Sequence, residues 1–302
     1  MIKHGVSVLK KLKKLFVFAF TLFFVSCQSL PPDEQSSVKA IDLLDNKSTF
    51  YLSIPKKVDE DLVTRIIRSN VEQLTDSDIK SLAERVNHLY IGISRSNYKN
   101  VLQASIESDI PVKYVPRLLS SKNGWSKTTF NPVNSKNQYE IYSQNKLNVS
   151  FPSGNVLVLG RDVPGMLSVY DIIRNSSEEE GQDGYFSSLN KEIYDWINGS
   201  KEEIRFYTVQ PSTYLHVLLG NNLNLQLLSV WGKFRDNPRS KDSYLLDLTF
   251  NFKNEAYKKA SRTILLIAFG LSNGDATSEN PTQLEISDIE LSKKQLYKIL
   301  GL

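Results

Sequence analysis

Two runs in the C-terminal third of the chain, residues 227–234 (LLSVWGKF) and 245–252 (LLDLTFNF), decide the fold class. In the second run every other side chain is apolar, at Leu246, Leu248, Phe250 and Phe252. This period of two is typical of a strand that has one buried face and one solvated face. The turn-forming residues 236–238 (DNP) separate the two runs, so the sequence predicts a hairpin in an antiparallel sheet.

The same order of elements is predicted twice along the chain. Residues 48–175 form a first half and residues 201–302 a second half, and each runs strand, helix, two-strand hairpin, helix, extended segment and helix. Between them, residues 176–200 contain an acidic loop and a short connecting helix. We therefore predict an α+β fold of two pseudo-repeated halves, each a largely antiparallel sheet with amphipathic helices on one face.

The N-terminus predicts export from the cytoplasm. Five lysines and no acidic residue precede an apolar run at residues 15–25 (LFVFAFTLFFV), and small residues follow. A basic region, a short apolar core and a small exit residue describe a secretory signal peptide, here residues 1–26. The apolar run has 11 residues, against about 20 for a helix that spans a bilayer. A transmembrane anchor is the weaker interpretation.

The chain has one cysteine, Cys27, directly after the predicted signal peptide. It closes the sequence Phe24-Val25-Ser26-Cys27, which has the form of a lipobox with phenylalanine in place of the usual leucine. We predict that Cys27 is lipidated, and several acyl chains on one residue anchor a protein stably. The alternative is a free thiol. Residues 27–47 are then expected to be a lipidated cysteine and a flexible tether.

Composition excludes several functions. The net charge of +4 comes from the signal peptide, because residues 27–302 carry 32 basic and 33 acidic side chains, a net charge of about −1. Binding to nucleic acid through bulk charge is therefore not expected. After Cys27 the histidines are His88 and His216, far apart and without metal-ligand spacing. We predict no metal, no cofactor and no catalytic residues, and interpret both histidines as packing or surface residues.

Three predicted helical regions, at residues 58–86, 211–228 and 255–269, combine apolar runs with interleaved polar or basic residues. Such helices suit burial against a sheet, and they also suit insertion at a lipid headgroup boundary. The candidate lipid-contact residues in these regions are Leu62, Ile66, Leu215, Leu218, Leu219, Ile264, Leu265, Ile267 and Phe269.

Four segments carry a family resemblance: residues 24–27 (FVSC), 49–55 (TFYLSIP), 89–94 (LYIGIS) and 111–125 (PVKYVPRLLSSKNGW). Together they resemble treponemal and related spirochaete outer-membrane lipoproteins, over most of the chain after Cys27. The resemblance implies an α/β fold with amphipathic helices, a periplasm-facing location, lipid binding and perturbation of bilayers. It carries over no catalytic residues.

These observations lead to three hypotheses for the function. The leading hypothesis is a non-enzymatic envelope lipoprotein, in the outer membrane and facing the periplasm, that binds lipid or associates with a membrane leaflet through its helices. The alternative is a structural or assembly lipoprotein that binds another envelope protein. A hydrolase with an unrecognised site is a distant third. An apolar cavity would favour the first hypothesis, and an exposed apolar patch or sheet edge the second.

Overall fold

Twelve strands of the described chain pair into one sheet, and all neighbouring strands are antiparallel. The structure is a computed structural model that describes residues 35–56, 58–70, 75–96, 99–180, 187–220, 223, 225–272, 276–277 and 280–299. The strands are β1 (Phe50–Pro55), β2 (Val86–Ser96), β3 (Lys99–Ser108), β4 (Ser126–Phe130), β5 (Tyr139–Gln144), β6 (Leu147–Ser153), β7 (Val156–Gly160), β8 (Ile204–Thr208), β9 (Leu227–Asp236), β10 (Ser243–Phe252), β11 (Ala276–Thr277) and β12 (Gln283–Ser292).

Eight α-helices lie among these strands in the described chain. They are α1 (Glu60–Asn70), α2 (Asp76–Ala83), α3 (Val115–Leu118), α4 (Val163–Glu180), α5 (Lys191–Asn198), α6 (Pro211–Leu219), α7 (Glu255–Ala268) and α8 (Lys293–Ile299). Short 3-10 turns occupy Ala40–Leu43, Val112–Tyr114 and Ser121–Asn123. No helix in the described ranges is both long enough and apolar enough to cross a bilayer.

The predicted hairpin of β9 and β10 is confirmed, and the alternation in β10 has the expected result. Leu246, Leu248, Phe250 and Phe252 are all at most 2% exposed, while the residues between them are partly solvated. Opposite Leu248 on β9, Gly232 leaves space for the ring of Phe206, which would lie 2.1 Å from an added Cβ. The hairpin thus lays one continuous apolar face against the helices.

The two predicted halves do not form separate sheets. The strand order is β11-β12-β10-β9-β8-β1-β2-β3-β7-β6-β5-β4, so β1 of the first half pairs directly with β8 of the second. Tyr51 faces Tyr207 in this register. Because the first strands of the two halves, β1 and β8, are hydrogen-bonded to each other, the backbone hydrogen bonding of the sheet continues from one half into the other. The mixed helix-and-strand fold is confirmed, whereas the repeat itself stays a prediction.

Helices cover both faces of the sheet, which corrects the prediction of helices on one face. Helices α1, α2, α3, α6, α7 and α8 pack on the face that we call the first face. On the opposite, second face lie α4, packed through Met166, Leu167 and Tyr170, and α5, packed through Tyr194 and Ile197. The reason is that β2, β3 and β7 bury side chains on both sides, so neither face of the sheet could be left in water.

Two segment predictions also need correction. The flexible tether was predicted to reach residue 47, but Ala40, Ile41, Leu43 and Leu44 are at most 2% exposed and pack on the second face. Burial of these apolar side chains is favourable, whereas a solvated linker would leave them in water. Residues 176–180, expected as part of an acidic loop, continue helix α4 instead. The signal peptide and Cys27 lie outside the described residues.

Candidate functional site

A cavity of about 120 Å³ lies on the first face, in the half of the sheet formed by β2, β3, β7 and β6. Twenty side chains line it, and all of them are aliphatic or aromatic. Its floor comes from the strands, through Leu89, Ile91, Leu102, Ala104, Ile106, Leu147, Val149, Phe151, Leu157 and Leu159. Helices α1, α2 and α3, with the residue that follows α3, cover it with Val63, Ile66, Ile67, Leu82, Val115, Leu118 and Leu119.

The strand sequences explain why a space remains here. Side chains of β3 alternate between faces, so Leu102, Ala104 and Ile106 all point into the cavity. Ala104 is the smallest of them, and it pairs with Ile91 of β2 and Leu159 of β7 in the middle of the floor. A methyl side chain flanked by larger ones leaves volume that the helices above do not fill.

This cavity offers a ligand an apolar lining. No titratable or hydroxyl side chain is among the residues that line it, so it provides no acid, base or nucleophile. An apolar cavity of roughly 150 Å³ in another protein stays dry and takes up benzene. A cavity of this kind therefore favours an apolar ligand and excludes water.

A second, polar depression adjoins the cavity, and we call it the arginine groove. Its volume is about 350 Å³, and it is lined by Asp78, Ser81, Leu82, Arg85, Ile110, Pro111, Tyr114, Arg117 and Leu118. Leu82, Ile110 and Leu118 line both the groove and the cavity. These three side chains are thus the partition between an apolar compartment and a polar one.

The predicted lipid-contact residues separate into three groups. Leu62, Leu215 and Leu265 are fully buried in the core, so in this structure they cannot contact a bilayer. Their burial corrects the prediction for these three. The partly buried Ile66, Leu218, Leu219 and Phe269 pack against the same core, and of these only Ile66 lines the cavity. Ile264 and Ile267 are 46% and 73% exposed.

Helix α7 carries apolar side chains on both of its sides. Leu265 and Leu266 face the sheet, while Tyr257, Ile264 and Ile267 lie on the solvent side. The exposed stripe also contains Ala260 and Ala268. A helix that rests on the sheet with one apolar stripe and offers a second to the solvent is a candidate surface for a leaflet or a partner.

The buried polar pair of the second face, Ser53 and His88, does not form an open site. Ser53 Oγ lies 2.7 Å from Nε2 of His88, and the ring of His88 stacks on Tyr90 at 4.2 Å. Burial, together with the positive charge of Lys201, lowers the pKa of His88 to about 4. Ser53 and His88 are both buried, so this pair is a packing arrangement, as expected for His88. His216 is exposed on α6.

No group of histidine, cysteine, aspartate or glutamate side chains within the described ranges could hold a metal ion. Cys27 lies outside those ranges, so its lipidation stays a prediction. The cavity itself was not located from the sequence. Its one local signal was Ala104, a small residue in a strand of larger apolar residues.

The fold and the cavity define a class: a mixed helix-and-strand protein whose large antiparallel sheet and amphipathic helices enclose an apolar space. Three solved structures share this fold, crystal forms I, III and IV of TP0453 from the spirochaete Treponema. Form I has a TM-score of 0.62 and 17% identity, and covers 88% of this chain and 97% of its own. Form III has a TM-score of 0.62 and 18% identity, and form IV has 0.61 and 16%. Both cover 88% of this chain and 98% of their own.

The sequence model of the outer membrane-associated lipoprotein TP0453 family matches residues 35–297. The chain belongs to this family. Membership confirms the predicted resemblance to spirochaete lipoproteins and the location at the outer membrane. No curated protein matches the chain in sequence.

Proposed function

We propose that this outer-membrane lipoprotein binds lipid non-enzymatically, with an acyl chain in the cavity of the first face. The observation that carries the proposal is the cavity lining of twenty aliphatic and aromatic side chains. Hydrocarbon gains about 0.8 kcal/mol for each methylene group that it buries there. A charged ligand atom would find no hydrogen-bond or ion-pair partner in this lining.

A full acyl chain needs more than the present 120 Å³. The cover can supply that volume, because four of its side chains, Ile66, Ile67, Leu82 and Leu119, are only partly buried, although Val63 and Val115 beside them are buried. Outward movement of these short helices would exchange contacts between apolar side chains for contacts with the ligand. The sheet beneath them is held by backbone hydrogen bonds and would keep its shape.

Membrane contact is the second part of the proposal. We place the protein on the periplasmic side of the outer membrane, anchored by acyl chains on Cys27. The exposed stripe of α7, with Ile264 at 46% and Ile267 at 73% exposure, then lies against the leaflet. Shallow burial of such a stripe at the headgroup boundary adds binding energy to the lipid anchor.

Binding to another envelope protein is the alternative, and the sheet edge would be its surface. Strand β4 ends the sheet and its residues Ser126–Phe130 are mostly exposed. However, Lys127, Thr128 and Thr129 make this edge polar, and lysine on an edge strand discourages pairing with another strand. The polar edge is thus a poor surface for a protein partner. The apolar cavity favours lipid as the ligand.

The test measures a fluorescent long-chain fatty acid binding to the non-acylated chain that carries Cys27→Ser. We expect Ala104→Leu to fill part of the cavity and weaken this binding at least about fivefold, while the free energy of unfolding rises by about 0.5–2 kcal/mol. Ala260→Leu adds the same side chain at an exposed position of α7 and is the control. If the Cys27→Ser chain does not bind the fluorescent fatty acid, or if Ala104→Leu binds it with unchanged affinity, the cavity is not a lipid site.

A further inference from the structure

The arginine groove lies where a bound lipid would expose its polar end. Leu82, Ile110 and Leu118 separate it from the cavity, and each of these residues lines both spaces. An acyl chain that entered past this partition would leave its headgroup in the groove. The groove volume of about 350 Å³ leaves room for a group larger than a water molecule.

Two guanidinium groups give the groove its charge. Arg85 follows α2 and donates from Nη1 to the backbone carbonyl of Asp109 at 3.2 Å, which leaves most of its five N–H donors for a ligand. Arg117 lies on α3 and is exposed. Within the described chain neither arginine forms an ion pair with a carboxylate, although both side chains line the same groove.

The acidic residue of the groove is already engaged. Asp78 Oδ2 accepts a hydrogen bond from Thr75 Oγ1 at 2.7 Å, and the two residues form the capping box that begins α2. A further cation lies beside the groove, because Lys113 Nζ is 5.6 Å from the centre of the Tyr114 ring. Two arginines and this one aspartate line the groove, so its lining has a formal charge of +1, although residues 27–302 together have a net charge of about −1.

We infer that the arginine groove binds the phosphate of a glycerophospholipid whose acyl chain occupies the adjacent cavity. This inference rests on the lipid-binding function proposed above and names the ligand class. Arginine presents its N–H groups in a fork that matches two phosphate oxygens, and such charge-assisted bonds are stronger than neutral ones. A ligand with hydrocarbon and phosphate joined by a short glycerol unit fits an apolar and a cationic compartment that share one wall.

The experiment compares two lipids that have the same acyl chain, lysophosphatidic acid and monoacylglycerol. Each displaces the fluorescent fatty acid from the Cys27→Ser chain. We expect lysophosphatidic acid to bind about tenfold more tightly, or more, because monoacylglycerol lacks the phosphate. Arg85→Gln with Arg117→Gln should reduce this preference to less than about twofold and leave the affinity for monoacylglycerol unchanged. Arg239→Gln, at an exposed position in the hairpin of β9 and β10, should keep the full preference.

The outcomes separate the two proposals. If both lipids bind equally and the double variant changes nothing, the phosphate site is wrong, while a loss of binding with Ala104→Leu still supports the lipid cavity. If neither lipid displaces the probe, the proposed function fails as well. Inorganic phosphate alone is titrated in parallel. If it binds the groove as tightly as lysophosphatidic acid does, the groove is a site for free phosphate and the lipid assignment is wrong.

Discussion

At the scale of single residues, His88 shows how burial sets the charge of a side chain. It is 5% exposed, Ser53 Oγ is its hydrogen-bond partner, and Tyr90 covers its ring. Burial holds the pKa of His88 near 4, below its ordinary value of 6.5. The unfolded chain consequently binds one more proton than the folded chain between these two pH values.

Stability should therefore decrease as the pH falls from about 6.5 to 4, and the His88 contribution above 6.5 should be constant. A shift of this size corresponds to about 3 kcal/mol. Glu107, opposite His88 on β3, acts in the other direction, because burial raises its pKa and favours the fold when it is protonated. A His88 variant keeps Glu107, so its comparison with the wild-type chain isolates the contribution of the histidine to the pH dependence.

The measurement is urea unfolding at several pH values between 4 and 8. We expect His88→Gln to remove about 3 kcal/mol of the difference in unfolding free energy between pH 7 and pH 4. His216→Gln replaces the exposed histidine and should keep the wild-type dependence. An unchanged pH dependence in His88→Gln would show that the buried imidazole is not the group that titrates.

At the scale of elements, α7 differs from the other helices of the first face. Asn254 begins it by accepting a hydrogen bond from the Tyr257 backbone at 3.0 Å, and Leu265 and Leu266 anchor it to the sheet. Its second apolar stripe, with Ile264 and Ile267, contributes little to the core because water already covers those side chains. Burial in the core therefore does not account for isoleucine at these two positions.

Replacement of Ile264 and Ile267 by serine should therefore separate stability from membrane binding. We expect the free energy of unfolding to change by no more than about 0.5–1 kcal/mol, since both side chains are exposed. Flotation of the Cys27→Ser chain with liposomes should fall at least about tenfold, because two isoleucines lose their burial in the leaflet.

The matched control is Val133→Ser, which removes an apolar side chain that is 89% exposed in a loop of the first half. Its flotation should equal that of the unmodified chain. If the Ile264→Ser, Ile267→Ser protein floats equally well, the exposed stripe of α7 does not contact the membrane, and a protein partner becomes the better explanation of that surface.

At the scale of the whole molecule, Asp59 joins parts of both halves. Its Oδ1 accepts a hydrogen bond from the backbone of Leu62 at 2.9 Å and so caps the start of α1. Its Oδ2 accepts hydrogen bonds from the hydroxyls of Tyr244 at 2.6 Å and Tyr297 at 3.1 Å, and Lys293 Nζ lies 3.7 Å away. Burial and the bond to Asp59 both raise the pKa of Tyr244.

Loss of this carboxylate should destabilise the molecule as a unit. We expect Asp59→Ala to lower the free energy of unfolding by about 3–5 kcal/mol, since it leaves two buried hydroxyls without their acceptor. Tyr244→Phe should cost much less in the Asp59→Ala background than in the wild-type chain, because the orphaned hydroxyl is removed. Thermal unfolding of both backgrounds measures this coupling.

The exposed Asp242, on the loop before β10, provides the comparison. Asp242→Ala should change stability by less than about 0.5 kcal/mol. Equal effects of Tyr244→Phe in both backgrounds would show that Asp59 and Tyr244 do not act together.

The sequence by itself determined the class of protein, the α+β content and the hairpin of β9 and β10, because side-chain periodicity and turn residues act over a few neighbouring positions. Tertiary structure alone decided that β1 pairs with β8, that helices cover both faces, and which stripe of α7 is buried. A helix that is apolar all round, as at Ile264 to Ile267, does not specify which side meets the sheet. The cavity depends on Ala104 of β3 lying below α1, α2 and α3, which precede and follow that strand in the chain, and the arginine groove depends on Arg85 and Arg117 lining the same space. No local pattern contains such contacts, because they exist only after the sheet and its cover have packed together.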